Sequence, residues 1–282
     1  MTAEIAVTGA TGGLGGRVAR RLAARGVRQR LVVRDPSRAP ELTRADIAVG
    51  EYHDGEAMRR AFDGARTVFL VSGAEARDRL DQHRTAVDAA AAVGVERVVY
   101  TSFVGAAPDA TFTLARDHFH TEEHLRASGM ATVVLRDSMY TDFLLLMAGG
   151  GEIRGPAGDG RFAPVTRDDI ADVAGVVLLD PAHDGATLEL TGPDLVTMAD
   201  VARILTEVTG RAAAFVDETV EEAYASRASY GAPDYEVTGW VTSYLAIRAG
   251  ELDVLSDDVA TVAGHPPTSI RTFLSQRASA GD

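Results

Sequence analysis

The chain has 282 residues, of which 46% are hydrophobic and 24% charged, the ordinary composition of a globular protein with a sizeable core. It has no cysteine, which excludes disulfides and cysteine nucleophiles and fits a reducing, cytoplasmic compartment. The formal charge of −13 disfavours nucleic-acid binding, and the longest apolar stretch, 143–148, is too short to span a membrane.

The basic residues are all arginine, 28 in number, and lysine is absent. This absence excludes mechanisms that need a lysine, such as a Schiff base or a phosphate-loop lysine. A lysine-free chain rich in arginine, alanine and glycine suggests a bacterial source with a GC-rich genome.

The first sixteen residues, MTAEIAVTGATGGLGG, have the pattern of a strand, a glycine turn and a helix. Ile5 to Val7 is apolar, glycines follow at Gly9, Gly12 and Gly15, and a helical pattern begins after them. Glycines at this spacing allow a sharp turn, close approach of the backbone to a pyrophosphate, and tight packing of helix on strand. The helix N-terminus then offers N–H groups to the phosphates. The pattern predicts dinucleotide binding; the alternative is a tight turn without a ligand.

The end of the second predicted strand, 30–33, carries Arg34 and then Arg38. In folds of this kind an acidic residue here favours a free ribose 2′-hydroxyl and an arginine favours a 2′-phosphate. Two guanidiniums four residues apart could bind a phosphate. Despite Asp35 between them, we expect NADPH, with NADH the less favoured cofactor.

Short apolar strands alternate with helical patterns along the first half of the chain. Strands are predicted at 5–7, 30–33, 47–51, 67–71, 97–101 and 132–136, and helices at 17–25, 55–62, 81–93 and 113–128. This rhythm indicates βαβ units and therefore an α/β fold with a Rossmann-type, doubly wound parallel sheet. We assign residues 1–150 to this NAD(P)-binding domain.

After Phe143 the rhythm breaks, and residues 151–282 are expected to form a smaller C-terminal α/β lobe that binds substrate. The glycine-rich segments 149–151 and 155–160 are predicted to be loops. Helices are predicted at 167–179, 198–209 and 220–228, and strands at 187–190 and 215–217. The segment 261–276 is predicted to carry a closing helix after His265-Pro266-Pro267. We expect the boundary to be interleaved, with helix 167–179 packing on the Rossmann sheet. The segment 224–235 stays open between a lid, a partner surface and a loop.

Several blocks together resemble the NmrA-like branch of the short-chain dehydrogenases, and within it the NADPH:quinone oxidoreductases. They are VTGATGGLG, QHRTAVDAAAAVGVERVVYTS, ARDHFHTEEHL, VLRDSMYTDFLL, GPAGDGRFAPVTRDDIADVA and GHPPTSIRTFL, in the family's order. The resemblance implies NADPH, with cofactor contacts at Gly9, Thr11, Gly12, Gly13, Leu14, Arg34, Ser72, Gly73, Thr101 and Ser102.

The resemblance also exposes a departure in the catalytic pair. Most short-chain dehydrogenases use Tyr-x-x-x-Lys, but the aligned positions here hold His118 and Glu122. The usual ketone reduction cannot operate without the lysine. Hydride transfer to a quinone or another electron-poor small molecule can, because orientation and a dry pocket supply most of the catalysis. His118 and Tyr140 are the candidate catalytic residues, and Phe103, Met139, Tyr140 and Phe143 are expected to line the acceptor pocket.

Other interpretations remain open at this stage. His118 could instead be a structural, hydrogen-bonded histidine, and Tyr140 and Phe143 could be ordinary packing residues. NmrA-like proteins include non-catalytic NADP(H)-sensing regulators, and a tailoring reductase of secondary metabolism is a third possibility. The histidines at His118, His120 and His124 lack a metal-binding spacing, so no metal is expected. A homodimer is one expectation for the oligomeric state.

Overall fold

The computed structural model describes the backbone of residues 4–280 and the side chains of residues 4–277. The chain divides into two compact units whose segments interleave along the sequence. The first unit comprises the residues up to Ser102, Asp117–Arg136 and Arg167–Leu188; the second comprises Phe103–Arg116, Asp137–Thr166 and the residues from Glu189 onward. The simple division at residue 150 stays a prediction.

Strands and helices alternate through most of the chain. The strands are β1 (Ile5–Thr8), β2 (Gln29–Val33), β3 (Ala45–Val49), β4 (Thr67–Leu70), β5 (Arg97–Phe103), β6 (Ala131–Asp137), β7 (Glu152–Gly155), β8 (Thr187–Leu190) and β9 (Ala214–Asp217). The helices are α1 (Gly15–Ala24), α2 (Gly55–Phe62), α3 (Arg79–Ala92), α4 (Thr113–Ala127), α5 (Thr141–Met147), α6 (Arg167–Val177), α7 (Met198–Thr209), α8 (Val220–Arg227), α9 (Asp234–Arg248), α10 (Asp258–Ala263) and α11 (Ile270–Ala280).

The main sheet has seven strands in the order β3-β2-β1-β4-β5-β6-β8. The pairs β1–β2, β2–β3, β1–β4 and β4–β5 are parallel. Ile5 lies opposite Gln29 on one side of β1 and opposite Thr67 on the other. Strand order reverses between β1 and β4, and in doubly wound sheets ligands bind outside the carboxyl ends of the strands at such a point. The predicted Rossmann-type fold is confirmed.

The core of the first unit forms where helix faces cover this sheet. All four residues of β1 are buried, as expected for a parallel strand covered on both sides. Met58 and Phe62 of α2 and Val87 of α3 are at most 1% exposed and belong to one apolar cluster with Val98 of β5. Helix α6 packs against α1 within this unit.

The second unit has its own core and a small sheet. Strands β7 and β9 pair in parallel, with Ile153 opposite Phe215. Ile153, Phe162 and Ile247 are fully buried in one cluster to which α7, α9 and α11 contribute. This unit therefore buries an apolar core of its own.

The closing helix predicted after Pro267 is found as α11, which begins at Ile270. Three elements of this half of the chain were not predicted. The first is the short helix α10, which ends before Gly264, a residue with φ +78°. Helix α9 occupies a region for which no element was predicted. Strand β7 lies between the two predicted glycine loops, and its own Gly155 packs against Tyr244, where a Cβ would lie 2.6 Å from the ring.

Candidate functional site

The turn after β1 is built from three glycines with different tasks. Gly9 adopts φ +60°, a conformation that other L-residues rarely take. The Gly12 N–H donates to the Gly9 carbonyl at 2.8 Å, which closes the turn. At Gly15 a Cβ would lie 2.4 Å from the same carbonyl oxygen, so only glycine lets α1 start this close to β1. The first-turn N–H groups of α1 are thereby held at the carboxyl end of β1.

A cleft of about 360 Å³ opens next to this turn, at the carboxyl ends of β1, β2 and β4. Its volume is within the range of small-molecule and cofactor sites. Six residues predicted to bind the cofactor line it together: Gly9, Thr11, Gly12, Arg34, Ser72 and Gly73. A glycine-lined wall beside a helix N-terminus, with a cation at its rim, suits a dinucleotide phosphate.

The rim cation is Arg34, an exposed residue directly after β2. Within residues 4–277, its guanidinium makes no ion pair, so its charge is available to a ligand. The neighbouring Asp35 carboxylate caps its own turn: its Oδ1 accepts the backbone N–H of Ser37 at 3.0 Å and the Ser37 hydroxyl at 2.7 Å. These hydrogen bonds hold the pKa of Asp35 below its usual value. Arg38 lies in the short 3₁₀ turn that Asp35 caps.

The floor of the cleft includes Tyr52, a residue that the sequence did not single out. Its hydroxyl lies 2.6 Å from both Thr8 Oγ1 and the Val71 carbonyl oxygen. Burial raises its pKa, so the phenol stays protonated and can donate to these oxygens. Thr8 Oγ1 also accepts the Val71 N–H at 2.9 Å. Tyr52 therefore joins the ends of β1 and β4 beneath the cleft.

The Ser72–Gly73 wall is held by side chains behind it. The Ser72 N–H donates to Thr101 Oγ1 at 2.8 Å, and the Gly73 N–H donates to His83 Nε2 at 2.8 Å. Arg79 Nε donates to the Gly73 carbonyl at 2.8 Å. Side chains of α3 therefore hold both the N–H and the carbonyl group of Gly73 in place. Thr101 lies behind the cleft wall and holds the N–H of Ser72.

His118 lies in the same buried network. The Arg79 guanidinium, which can only donate, contacts His118 Nε2 at 3.0 Å, and the other ring nitrogen lies 2.8 Å from the Tyr100 hydroxyl. Burial and then the charges of Arg79, His83 and Arg136 hold the pKa of His118 well below its usual value. The imidazole is therefore neutral, with its proton on Nδ1 toward Tyr100.

Glu122 occupies the position at which the resemblance expects the catalytic lysine. It is fully buried and accepts a two-pronged contact from Arg136, Nε to Oε1 at 2.9 Å and Nη2 to Oε2 at 2.8 Å. The Ser102 hydroxyl donates to Glu122 Oε1 at 2.6 Å. Ser102 is 3% exposed, so the structure places it behind the strand end, held by this carboxylate.

The two remaining cofactor candidates flank the glycine turn. Leu14 is 5% exposed, and its side chain lies in the core. The Gly13 carbonyl accepts from Arg17 Nη1 at 2.6 Å. Their predicted cofactor contacts stay predictions.

The second unit contains a pocket of about 340 Å³. Met139 and Phe143, both predicted for the acceptor pocket, line it together with Tyr230, Trp240 and Tyr244. These aromatic and thioether side chains make a wall suited to a flat, apolar ring. Sequence reasoning missed the part contributed by α9, because no motif marked that helix.

The other two pocket candidates are placed by contacts inside the second unit. The Tyr140 hydroxyl donates to Asp137 Oδ2 at 2.9 Å. Phe103 packs edge-on against Phe112, with ring centroids 5.1 Å apart, beside the core of this unit. Their roles toward a substrate stay predictions.

The described residues offer neither a metal site nor a membrane span. Among residues 4–277, no group of three or more His, Asp or Glu side chains is arranged to hold a metal ion. Nor does any helix in the described part of the chain combine the length and the apolar character of a membrane span.

Comparison with known proteins gives a consistent result. The family described as NAD(P)H-binding matches residues 9–181. Quinone oxidoreductase 2 of Escherichia coli is 32% identical over 96% of this chain and 97% of its own length. The crystal structure of that protein with NADPH matches with a TM-score of 0.90 at 30% identity, covering 97% of this chain and 99% of that one.

Two further proteins are similar to this chain, one in sequence and one in fold. An NAD(P)H azoreductase of Xenophilus azovorans is 28% identical over 98% of both chains. A mutant NmrA structure is 15% identical with a TM-score of 0.76, covering 100% of this chain and 97% of that one, and shares the fold. The predicted NmrA-like, quinone-reductase-like kinship is confirmed. The chain therefore belongs to the NAD(P)H-binding family, as an oxidoreductase with a Rossmann-type fold that binds NAD(P)H.

Proposed function

We propose that this protein oxidises NADPH and transfers the hydride to a quinone or a similarly electron-poor small molecule. The observation that carries the proposal is the convergence of Gly9, Thr11, Gly12, Arg34 and the Ser72–Gly73 wall on one cleft. The similarity to Escherichia coli quinone oxidoreductase 2 over nearly the whole chain supports the choice of acceptor.

NADPH is preferred over NADH because of Arg34. The 2′-phosphate distinguishes the two cofactors, and a charge-assisted hydrogen bond to it contributes about 1.5–3 kcal/mol. Asp35 stays charged and reduces this preference, and its hydrogen bonds to Ser37 keep its Oδ1 turned toward its own 3₁₀ turn. The glycine turn and the start of α1 would hold the pyrophosphate shared by both cofactors.

The bound nicotinamide supplies a hydride, which carries two electrons, and the acceptor needs one further proton to become a hydroquinone. A quinone accepts hydride without prior protonation, so the missing Tyr-Lys pair does not prevent the reaction. Tyr140 and His118 stay the candidate catalytic residues in this proposal, and the proton comes from water or a nearby side chain. His118 is a neutral imidazole, because its pKa is held low and its Nε2 accepts from Arg79, so in this proposal it holds the network around Tyr100 and does not release a proton.

We assign the acceptor to the pocket of the second unit. Trp240 and Tyr230 are arranged edge to face with centroids 6.1 Å apart, and Phe143, Met139 and Tyr244 complete an apolar wall. Such walls stack on flat conjugated rings. We also propose a bacterial enzyme, as its bacterial relatives suggest, and keep the cytoplasmic location and the homodimer as predictions.

The test is NADPH consumption by the purified protein with a panel of benzoquinones and naphthoquinones, beside a binding titration with NADH. Turnover together with much weaker NADH binding supports the proposal. Tight NADPH binding without turnover on any quinone would refute it and favour an NADP(H)-sensing regulator or a reductase of one specialised substrate.

A further inference from the structure

The apolar pocket of the second unit has a charged side whose charges are paired among themselves. Arg154 Nε lies 3.0 Å from Glu218 Oε1, and Arg154 Nη1 lies 2.8 Å from Glu152 Oε2. Arg227 Nη1 donates to Glu218 Oε2 at 3.0 Å. Glu152, Arg154 and Arg227 line the pocket, and Glu218 lies behind them at 2% exposure.

This arrangement contains two cations and two anions, so its formal charge is zero. Burial alone would raise the pKa of Glu218, but hydrogen bonds from Arg227 and Arg154 outweigh it and hold the pKa below its usual value. Glu218 is therefore ionised at neutral pH and bridges both guanidiniums. The pairing engages Nε and Nη1 of Arg154, two of its three guanidinium nitrogens, and neutralises the charge that a carboxylate, sulfonate or phosphate on a ligand would otherwise gain.

The guanidinium of Arg227 also donates hydrogen bonds to backbone carbonyl groups. Its Nη1 donates to the Ala223 carbonyl at 2.9 Å, and its Nη2 donates to the Arg154 carbonyl at 2.7 Å. Its guanidinium carbon lies 5.5 Å from the centre of the Tyr244 ring. The positive charge of Arg227 is thus directed to Glu218 and an aromatic face rather than to the cavity.

We propose that Glu152 and Glu218 determine the charge specificity of the acceptor: by neutralising Arg154 and Arg227, they make the pocket select uncharged aromatic acceptors over acceptors that carry a sulfonate, carboxylate or phosphate. The proposal rests on the proposed function, in which this pocket holds the acceptor. An unpaired arginine in the same place would invert the selection, since an anion would then gain a charge-assisted hydrogen bond.

The test uses Trp240, the single tryptophan of the chain, which lies in the pocket wall. Quenching of its fluorescence reports ligand binding to the full-length protein whether or not the ligand is reduced. The probes are naphthoquinone and its ring-sulfonated derivative, and the measured quantity is the ratio of their dissociation constants. Comparing this ratio between variants cancels the intrinsic difference in hydrophobicity between the two quinones.

Two variants on the pocket side should shift this ratio in opposite directions. Glu152→Gln removes a half-exposed carboxylate and releases Arg154, so binding of the sulfonated quinone relative to the neutral one should improve about three- to ten-fold. Arg154→Met leaves Glu152 and Glu218 with Arg227 as their one cation, so this side of the pocket becomes negative. Binding of the sulfonated quinone relative to the neutral one should therefore weaken about three- to ten-fold.

The matched control is Glu56→Gln, which breaks an exposed Glu–Arg pair on α2 in the first unit and should leave the ratio unchanged. Ratios within about two-fold of wild type for both pocket variants, or shifts equal to that of the control, would overturn the proposal. Turnover is followed separately. Quinones that bind at Trp240 with the predicted charge shifts but are never reduced would refute the proposed function and leave the charge selection standing.

Discussion

Substitution of Gly15 by alanine tests whether close packing of α1 on β1 shapes the cofactor site. The added Cβ would lie 2.4 Å from the Gly9 carbonyl oxygen and 2.6 Å from the Thr8 carbonyl oxygen, whereas real Cβ contacts stay above 3.0 Å. The start of α1 must therefore move outward by at least 0.6 Å, the difference between 3.0 and 2.4 Å. Overpacking of this kind costs about 1–3 kcal/mol.

The same movement displaces the N–H groups that the proposal assigns to the pyrophosphate. Loss of one hydrogen bond to a charged group, at about 1.5–3 kcal/mol, weakens NADPH binding at least about ten-fold. Urea denaturation measures the stability loss, and isothermal titration with NADPH measures the affinity. NADH affinity should fall by the same factor, because the pyrophosphate is common to both cofactors.

The matched control is Gly150→Ala, where nothing lies within 4 Å of the new Cβ and no positive φ opposes it. This variant should stay within about 0.5 kcal/mol of wild type and bind NADPH normally. If Gly15→Ala behaved like the control in both assays, the account of the glycine turn would be refuted.

Further predictions concern the cleft rim and the buried network. Arg34→Ala should weaken NADPH binding about ten-fold or more and leave NADH binding unchanged, whereas Arg38→Ala should have the smaller effect; equal losses for both cofactors would contradict the assignment. His83 and His118 have pKa values held well below the usual one, chiefly by burial, so the folded state binds fewer protons than the unfolded state. Stability should therefore fall as the pH drops below about 6.5, by up to about 2 kcal/mol per histidine between about pH 7.5 and 5. Replacing either histidine with glutamine should flatten the pH dependence of the urea midpoint, and an unchanged slope would contradict this reasoning. Glu122→Gln removes the buried carboxylate that the partly exposed Arg136 and Arg126 both contact, and should cost about 1–3 kcal/mol of unfolding free energy. A loss below about 0.5 kcal/mol would show that this carboxylate is dispensable.

The first half of the fold could be predicted because its signals are local. Each buried parallel strand is a short apolar run, and each helix repeats its apolar residues at helical spacing. Helix α2 was predicted at its observed bounds, Gly55–Phe62. The glycine turn was predictable for the same reason, since Gly9 and Gly15 answer backbone constraints that arise within a few residues of sequence.

The side chains that hold the Ser72–Gly73 wall make contacts that sequence patterns over a few residues do not predict. Arg79 and His83 are four residues apart on α3, so they lie on the same face of the helix. This spacing was the one sequence feature that pointed to a joint role for them. A polar pair on an alanine-rich helix nevertheless looks like a solvated face. Only the fold shows that Arg79 is 2% exposed and that both side chains are directed to Gly73.

Gly160 of the second unit lies in a loop, as predicted, but its contact with a helix was not predicted. Gly160 was predicted to belong to a glycine-rich loop, but a Cβ there would lie 2.1 Å from the Ile247 carbonyl oxygen of α9. The glycine serves a close approach between a loop and a helix that the sequence did not predict. The pocket wall at Trp240 and Tyr244 was missed for the same reason, because it depends on where α9 packs.

The central claim is that one chain both binds NADPH and delivers its hydride to a quinone. The most direct measurement is an anaerobic single turnover, in which the NADPH-loaded protein is mixed with naphthoquinone and cofactor absorbance and Trp240 fluorescence are followed together. The account predicts quenching as the quinone binds, one hydroquinone formed for each NADPH consumed, and slower consumption when the transferred hydrogen is deuterium. Quenching of Trp240 with no loss of NADPH would contradict it and identify the protein as a binder of both ligands that catalyses no reaction between them.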